Sequence, residues 1–237
     1  MMNHVSAEEF VRSIDSREMP RYSLGEASIY LGLPESTVRA WFIGTTYGTS
    51  PNVRRFHPVL TPASRDLLSF FDIASAHILM AFKRQRVSPN DLRAIVASLR
   101  QEFPDDRYPL LGRNFYMFGK AVILKKLGQR LNLSRGRQLG MRRIMDKFLS
   151  RVEVDAQNMP LRFSPLRYEA ARGRGFIVID PQLSYGRPVV RGTGIAAEIV
   201  AKRRKSGESI ASLAKDYRMS RRAIEEAVHY FAQKQAA

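Results

Sequence analysis

The residues of this chain best placed to do chemistry are arginines flanked by small hydroxyls. Ser36, Thr37 and Arg39 lie on one side of a short apolar segment, Arg54 and Arg55 close a Gly- and Thr-rich stretch, and Ser220, Arg221 and Arg222 open a second short segment. A guanidinium fork matches the guanine edge or a phosphate, and serine and threonine hydroxyls reach either, so the three groups have the residue types of a DNA contact. Nothing comparable points to catalysis. The four histidines, His4, His57, His77 and His229, are scattered without metal-ligand spacing. No phosphate-loop lysine motif or nucleophile elbow occurs, and Gly192-Thr193-Gly194 is too short to cradle a phosphate. Carboxylates are dispersed, and Asp180-Pro181 reads as a turn. His77, on an apolar stretch, reads as an interior residue. The expectation is a non-enzyme with no metal and no cofactor.

Charge agrees with a polyanionic partner. Against 39 Lys and Arg stand 22 Asp and Glu, a formal net charge of +17 in 237 residues, which favours nucleic acid without choosing DNA over RNA. Between Gly112 and Arg151 eleven basic residues face one acid, Asp146. With no cysteine, disulfide frameworks, thiolate zinc sites and thiol sensing drop out, and a reducing cytoplasm is expected. The N-terminus lacks a basic signal-peptide region and no apolar run reaches ~18 residues, so a cytoplasmic, nucleoid-associated protein without membrane spans is expected.

These groups must be positioned by helices. In Tyr22 to Trp41, Ser23 and Glu26 form a capping box, Leu24, Ala27, Ile29 and Leu31 give an apolar face, and Gly32 and Pro34 break the helix. Ser36 is expected to cap a second helix with Val38 and Trp41 inward: helix, tight turn, helix, the arrangement that lays its second helix in a major groove. An ordinary helical hairpin is the competing reading. Gly44 to Pro58 reads as a β-hairpin wing, with Arg54 and Arg55 gripping phosphate. A helix is expected from Pro62 and another from Pro89 to Pro104. Phe115 to Leu124, aromatic and β-branched around Gly119, is expected to be a hairpin. Pro160 to Gly175 reads as a linker, followed by a strand at Phe176 to Asp180. Glu208 to Phe231 repeats the helical pair, Ser209 capping the first helix and Ser220 the second, with Leu213, Ala214, Ile224, Ala227, Val228 and Phe231 inward; a dimerising helical unit is the competing reading. The expected fold is mainly α with small β-hairpins and two helix-turn-helix units, the N-terminal one winged. Its units are residues 1–160, a linker at 161–175, and residues 176–237.

Two family resemblances attach to these residues. Tyr22 to about Leu99 resembles the MerR-type winged helix-turn-helix through Glu26-Ala27, Leu31-Gly32-Leu33 and Thr37-Val38-Arg39-Ala40-Trp41, with a longer wing and no Arg-Tyr-Tyr ending. Phe176 to Phe231 resembles the antitoxin domain catalogued as domain-of-unknown-function family 433, through Ile179-Asp180-Pro181, Gly186-Arg187-Pro188-Val189-Val190, Gly192-Thr193-Gly194-Ile195, Gly207-Glu208-Ser209-Ile210, Asp216-Tyr217 and Ala227-Val228-His229-Tyr230. The resemblance implies the antitoxin of a type II toxin–antitoxin pair that neutralises a PIN-like ribonuclease toxin and represses its own operon. The expected partners are that toxin, double-stranded operator DNA and a second copy of the chain, since one protomer's short helices bury too little groove for tight binding. If the toxin holds metal with carboxylates, Arg172 and Arg174, framed by Gly173 and Gly175, are the expected plug for its pocket. The alternative is a MerR-like regulator responding to a small molecule held by Phe115, Tyr116 and Phe118, aromatics that fit a hydrophobic core equally well.

Overall fold

The computed structural model describes residues 15–48, 52–131, 135–165 and 175–232. Helix α1 (Leu24–Leu31) begins at the capping box: the Ser23 hydroxyl accepts from the Glu26 N–H, and the Glu26 carboxylate accepts from the Ser23 N–H at 2.9 Å. Gly32, at φ 66°, ends the helix in the left-handed conformation. Helix α2 (Glu35–Phe42) starts two residues earlier than its sequence suggests. Pro34, not Ser36, holds the N-cap position and makes no side-chain cap bond, while its carbonyl accepts from the Thr37 and Val38 N–H groups. Ser36 is left exposed in the first turn. The hairpin that follows is present as β1 (Thr45–Tyr47) and β2 (Arg54–Phe56), antiparallel with Thr45 opposite Phe56. Gly44, at φ 91°, lets the chain enter it, since a Cβ there would collide with the Phe56 carbonyl oxygen.

The central helix α3 (Phe70–Arg84) starts well after Pro62, the expected first residue. Its N-terminus is a second capping box, in which Asp72 accepts from the Ser69 N–H at 2.8 Å and also from the Ala63 N–H at 3.0 Å, tying the Pro62 segment down as a loop over the helix start. Helix α4 (Pro89–Glu102) is capped by Ser88. Phe115 to Leu124 does not form the expected hairpin. This stretch is helical: a π turn (Phe115–Gly119) runs into α5 (Lys120–Leu131). Local β preference lost to packing, because the helical winding brings Phe115, Ile123, Leu124 and Leu127 into the core. Gly119 leaves room for the Phe115 ring, which a Cβ would meet at 2.6 Å. Helix α6 (Arg135–Leu149) then packs on α3, and α5 packs on α4.

A four-stranded antiparallel sheet runs in chain order through β3 (Val152–Val154), β4 (Pro160–Phe163), β5 (Ile177–Ile179) and β6 (Pro188–Val190). It therefore joins strands from both sides of Pro165. A single-turn 3-10 segment (Ser184–Gly186) precedes β6. Helices α7 (Ala197–Lys205), α8 (Ile210–Asp216) and α9 (Arg221–Ala232) close a second core around Ile177, Val190, Val200, Leu213 and Ile224.

The two cores are joined by specific polar ties. Arg191 reaches Glu153 and the Ser164 hydroxyl, each at 2.6 Å. The Tyr22 phenol donates to the Gly186 carbonyl at 3.2 Å and the buried Tyr230 phenol donates to the Tyr30 carbonyl. Removing the Tyr230 hydroxyl leaves a buried carbonyl short of its partner, so Tyr230→Phe is expected to cost about 1–3 kcal/mol in urea denaturation. An unchanged midpoint would mean that this bond does not couple the two cores.

Candidate nucleic-acid interface

Val38, Trp41 and Phe42 anchor α2 in the core. Their helical spacing turns Ser36 and Arg39 to solvent and leaves Thr37 half-buried. Arg39 pairs with Glu35 one turn back at 3.4 Å, with both side chains about half exposed, a contact weak enough to be exchanged for an external acceptor. Lys83, in the last turn of α3, donates to the Thr37 hydroxyl at 3.5 Å and so adds a cation to the outer face of α2. Sequence reasoning missed Lys83. The signal was there in Lys83-Arg84 at the end of an apolar helix, but not its proximity to α2.

Arg54 and Arg55 stand exposed on β2. The hairpin's base is fixed by a residue that sequence reasoning also missed: Arg93 of α4 donates to the His57 carbonyl and lies over the Phe56 ring, 5.5 Å from its centroid. Tyr47 meets Phe56 edge to face at 5.8 Å. Lys83 thus joins Thr37 on one flank of α2 and Arg39 stands on another exposed flank with Glu35, while Arg54 and Arg55 form a second group on the pinned hairpin.

The second helical pair is built alike. Ser209 caps α8, Arg218 takes the left-handed conformation at φ 54° in the turn, and the Ser220 hydroxyl accepts from the Ala223 N–H at 3.2 Å at the start of α9. Leu213, Ala214, Ile224 and Ala227 are buried as expected, while Val228 and Phe231 are only partly buried. Arg221 and Arg222 are exposed in the first turn, and Arg222 lies over the Phe176 ring at 5.9 Å. Arg203 braces this unit through Glu208 and Asp216, and the Glu208 hydrogen bond holds its guanidinium well above the ordinary arginine range.

The remaining sequence-predicted residues divide. Arg172 and Arg174 lie outside the described residues. Phe115 is fully buried in the core, Tyr116 is half-buried, and Phe118 is 53% exposed. His77 is buried without exposure between Phe148 and Phe163, with Nε2 3.2 Å from the Phe148 carbonyl oxygen, and burial pushes its pKa down to about 3. Among the described residues there is no group of three or more His, Cys, Asp or Glu able to hold a metal, and no helix long and apolar enough to cross a membrane.

Comparison with known proteins gives a consistent set of likenesses. Residues 177–231 match the family described as "Protein of unknown function (DUF433)". The chain is 26% identical over 217 residues to the Mycobacterium tuberculosis protein named "Putative antitoxin VapB45", covering 84% of this chain and 89% of that protein. It is 24% identical over 231 residues to "Uncharacterized protein Rv2308" of the same organism, covering 94% of each. The fold is similar to the crystal structure of Rv2018 from Mycobacterium tuberculosis, with a TM-score of 0.65 at 24% identity, covering 89% of this chain and 98% of that one. The chain is thus similar to an antitoxin-like family.

Proposed function

We propose that this chain is the antitoxin of a type II toxin–antitoxin pair, binding and neutralising a PIN-like ribonuclease toxin and binding its own operator DNA as a repressor. The observation that carries the DNA half is the α1–α2 pair, whose core-anchored second helix turns Ser36 and Arg39 to solvent and holds the half-buried Thr37 beside Lys83. Such a unit suits a major groove, and an adjacent hairpin bearing Arg54 and Arg55 suits the flanking phosphates. In this reading residues 1–160 form a MerR-like winged unit and residues 176–237 a second unit that offers Ser220, Arg221 and Arg222. The protein acts as a homodimer on an inverted repeat of double-stranded DNA, in the cytoplasm at the nucleoid, as a binding protein and not an enzyme. The antitoxin half is supported by the sequence likeness to a protein named as an antitoxin. Arg172 and Arg174 remain the proposed plug for a carboxylate pocket in the toxin, because an arginine fork binds carboxylates bidentately and keeps its charge.

The test is binding of the purified full chain to the DNA upstream of its own gene across a salt series. Replacing both Arg54 and Arg55 with Ala is expected to lower the slope of log affinity against log salt by about two units, since each phosphate contact contributes roughly 0.9. An unchanged slope would take the hairpin off the DNA. Failure of the unmodified chain to prefer its upstream DNA over random DNA would remove the repressor reading.

A further inference from the structure

The turn before β6 combines features that the DNA-binding reading leaves unused. Ser184, Tyr185 and Gly186 take left-handed backbone conformations in succession, at φ 46°, 57° and 77°. Glycine adopts this region freely, whereas a serine and a tyrosine are strained in it and persist there only when their surroundings hold them. The holding groups are visible. The Ser184 hydroxyl donates to the Gly194 carbonyl at 2.7 Å, the Gly186 N–H to the Leu183 carbonyl at 2.8 Å, and the buried Tyr22 phenol to the Gly186 carbonyl. The result is that Tyr185 is held out into solvent at 90% exposure.

Two depressions flank that ring. One, of about 310 Å³, is lined by Arg21, Tyr22, Glu26, Tyr30 and Arg187. The other, of about 410 Å³, is lined by Ile195, Ile199 and Tyr217, with Ile199 51% exposed. Of the nearby charges, the Arg21 guanidinium is committed to the Pro181 and Ser16 carbonyls and Glu26 to Ser23. Arg187 is exposed and has no ion pair among the described residues. A projecting tyrosine and an arginine over an apolar floor are the residue types that dominate the energetics of protein interfaces.

We propose that the Tyr185 turn is the docking surface for the toxin, Tyr185 entering an apolar slot on that protein and Arg187 meeting a carboxylate beside it. The inference rests on the antitoxin reading. A nucleic acid suits the surface less well, because a phosphate track calls for a row of uncommitted cations. Of the two arginines here, Arg21 is already bound to backbone carbonyls, while Arg187 lies beside isoleucines. A second copy of the chain suits it less well too, since a two-fold contact through this patch would bring Arg187 near its own image.

The experiment measures binding between the full-length chain and the purified product of the reading frame adjacent to its gene, with binding to the upstream DNA measured in parallel. Tyr185→Ala is expected to weaken the protein complex by about 30-fold or more, the loss of an interface hot spot, and to leave DNA affinity within threefold (~3) of the unmodified chain. Tyr185→Gly, which suits the left-handed backbone, is expected to lose the complex equally without lowering the melting temperature, so that misfolding is separated from lost contact. Tyr185→Phe is expected to retain it. Undiminished protein binding by Tyr185→Ala overturns the inference while the antitoxin reading stands, as does loss of DNA binding with the protein complex intact. Failure of the unmodified chain to bind that protein at all overturns both.

Discussion

Replacing His77 with Gln is expected to flatten the acid side of the stability curve between about pH 6.5 and 3, a difference of up to about 5 kcal/mol at its low-pH end. The ring is buried without exposure on α3, and burial is the largest cause of a pKa pushed from 6.5 down to about 3, with Arg151 and Arg84 nearby adding to it against the hydrogen bond to Phe148. Above pH 6.5 the ring is neutral in both the folded and the unfolded chain and contributes no pH dependence. As the pH falls, the unfolded chain takes up a proton that the folded one refuses, and stability declines by about 1.4 kcal/mol per pH unit until the folded pKa is reached. A Gln amide N–H can replace Nε2 as donor to the Phe148 carbonyl and cannot titrate, and among the described residues Nδ1 has no hydrogen-bond partner to lose. Acidic groups held low by ion pairs, Asp15, Glu153 and Asp155 among them, also destabilise the fold in acid, but they do so equally in both proteins. The quantity to measure is therefore the difference between the two denaturation curves at several pH values. Parallel curves from pH 7 to pH 4 would mean that His77 takes up its proton in the folded chain as readily as in the unfolded one.

The elements most legible in the sequence were those whose ends are written in side chains. Ser23 with Glu26, Ser88 before Pro89, and Ser209 each mark a helix start that the structure keeps, because the capping hydroxyl satisfies backbone donors at no cost in tertiary context. Where tertiary contacts decide, local signals misled. Thr61-Pro62 has the form of a helix start, yet the Asp72 carboxylate collects the Ala63 and Ser69 donors and delays the helix to Phe70. The Phe115 stretch has β-forming residues, yet its apolar side chains reach the core only when wound as a helix. The sheet from β3 to β6 was illegible as a unit because its inner pairing, Phe163 with Ile179, depends on contacts across the segment that composition marks as a linker.

The candidate site was legible in its residue types and not in its supports. The exposure of Ser36 and Arg39 follows from the spacing of Val38 and Trp41, which must face inward, and needed no tertiary knowledge, whereas Thr37 is half-buried. Lys83 and Arg93 are far from that segment in sequence and come to it, or to the hairpin base, only through the packing of α3 and α4. Tyr185 carried no signal at all. Its stretch is rich in turn residues, and the exposure of its ring follows from the left-handed backbone of Ser184, Tyr185 and Gly186.

Arg39→Ala is expected to lower affinity for the upstream DNA by about 1–3 kcal/mol, roughly 5- to 150-fold, with little change on random DNA. The arginine stands on the exposed side of α2, opposite Val38 and Trp41, so its truncation opens no cavity and the fold is expected to keep its stability. Its ion pair to Glu35, at 3.4 Å between half-exposed side chains, costs little to break on approach of a base edge. The fork can then donate two bonds to one guanine, a geometry that lysine's ammonium cannot reproduce. Arg39→Lys therefore separates readout from charge: it is expected to keep binding to random DNA and to lose most of the preference for the upstream site. Lys83, on Thr37, remains to hold α2 near the DNA backbone. An equal fall on upstream and random DNA for Arg39→Ala, with full rescue by Arg39→Lys, would place Arg39 on a phosphate and leave sequence readout to Thr37 or to the second helical pair.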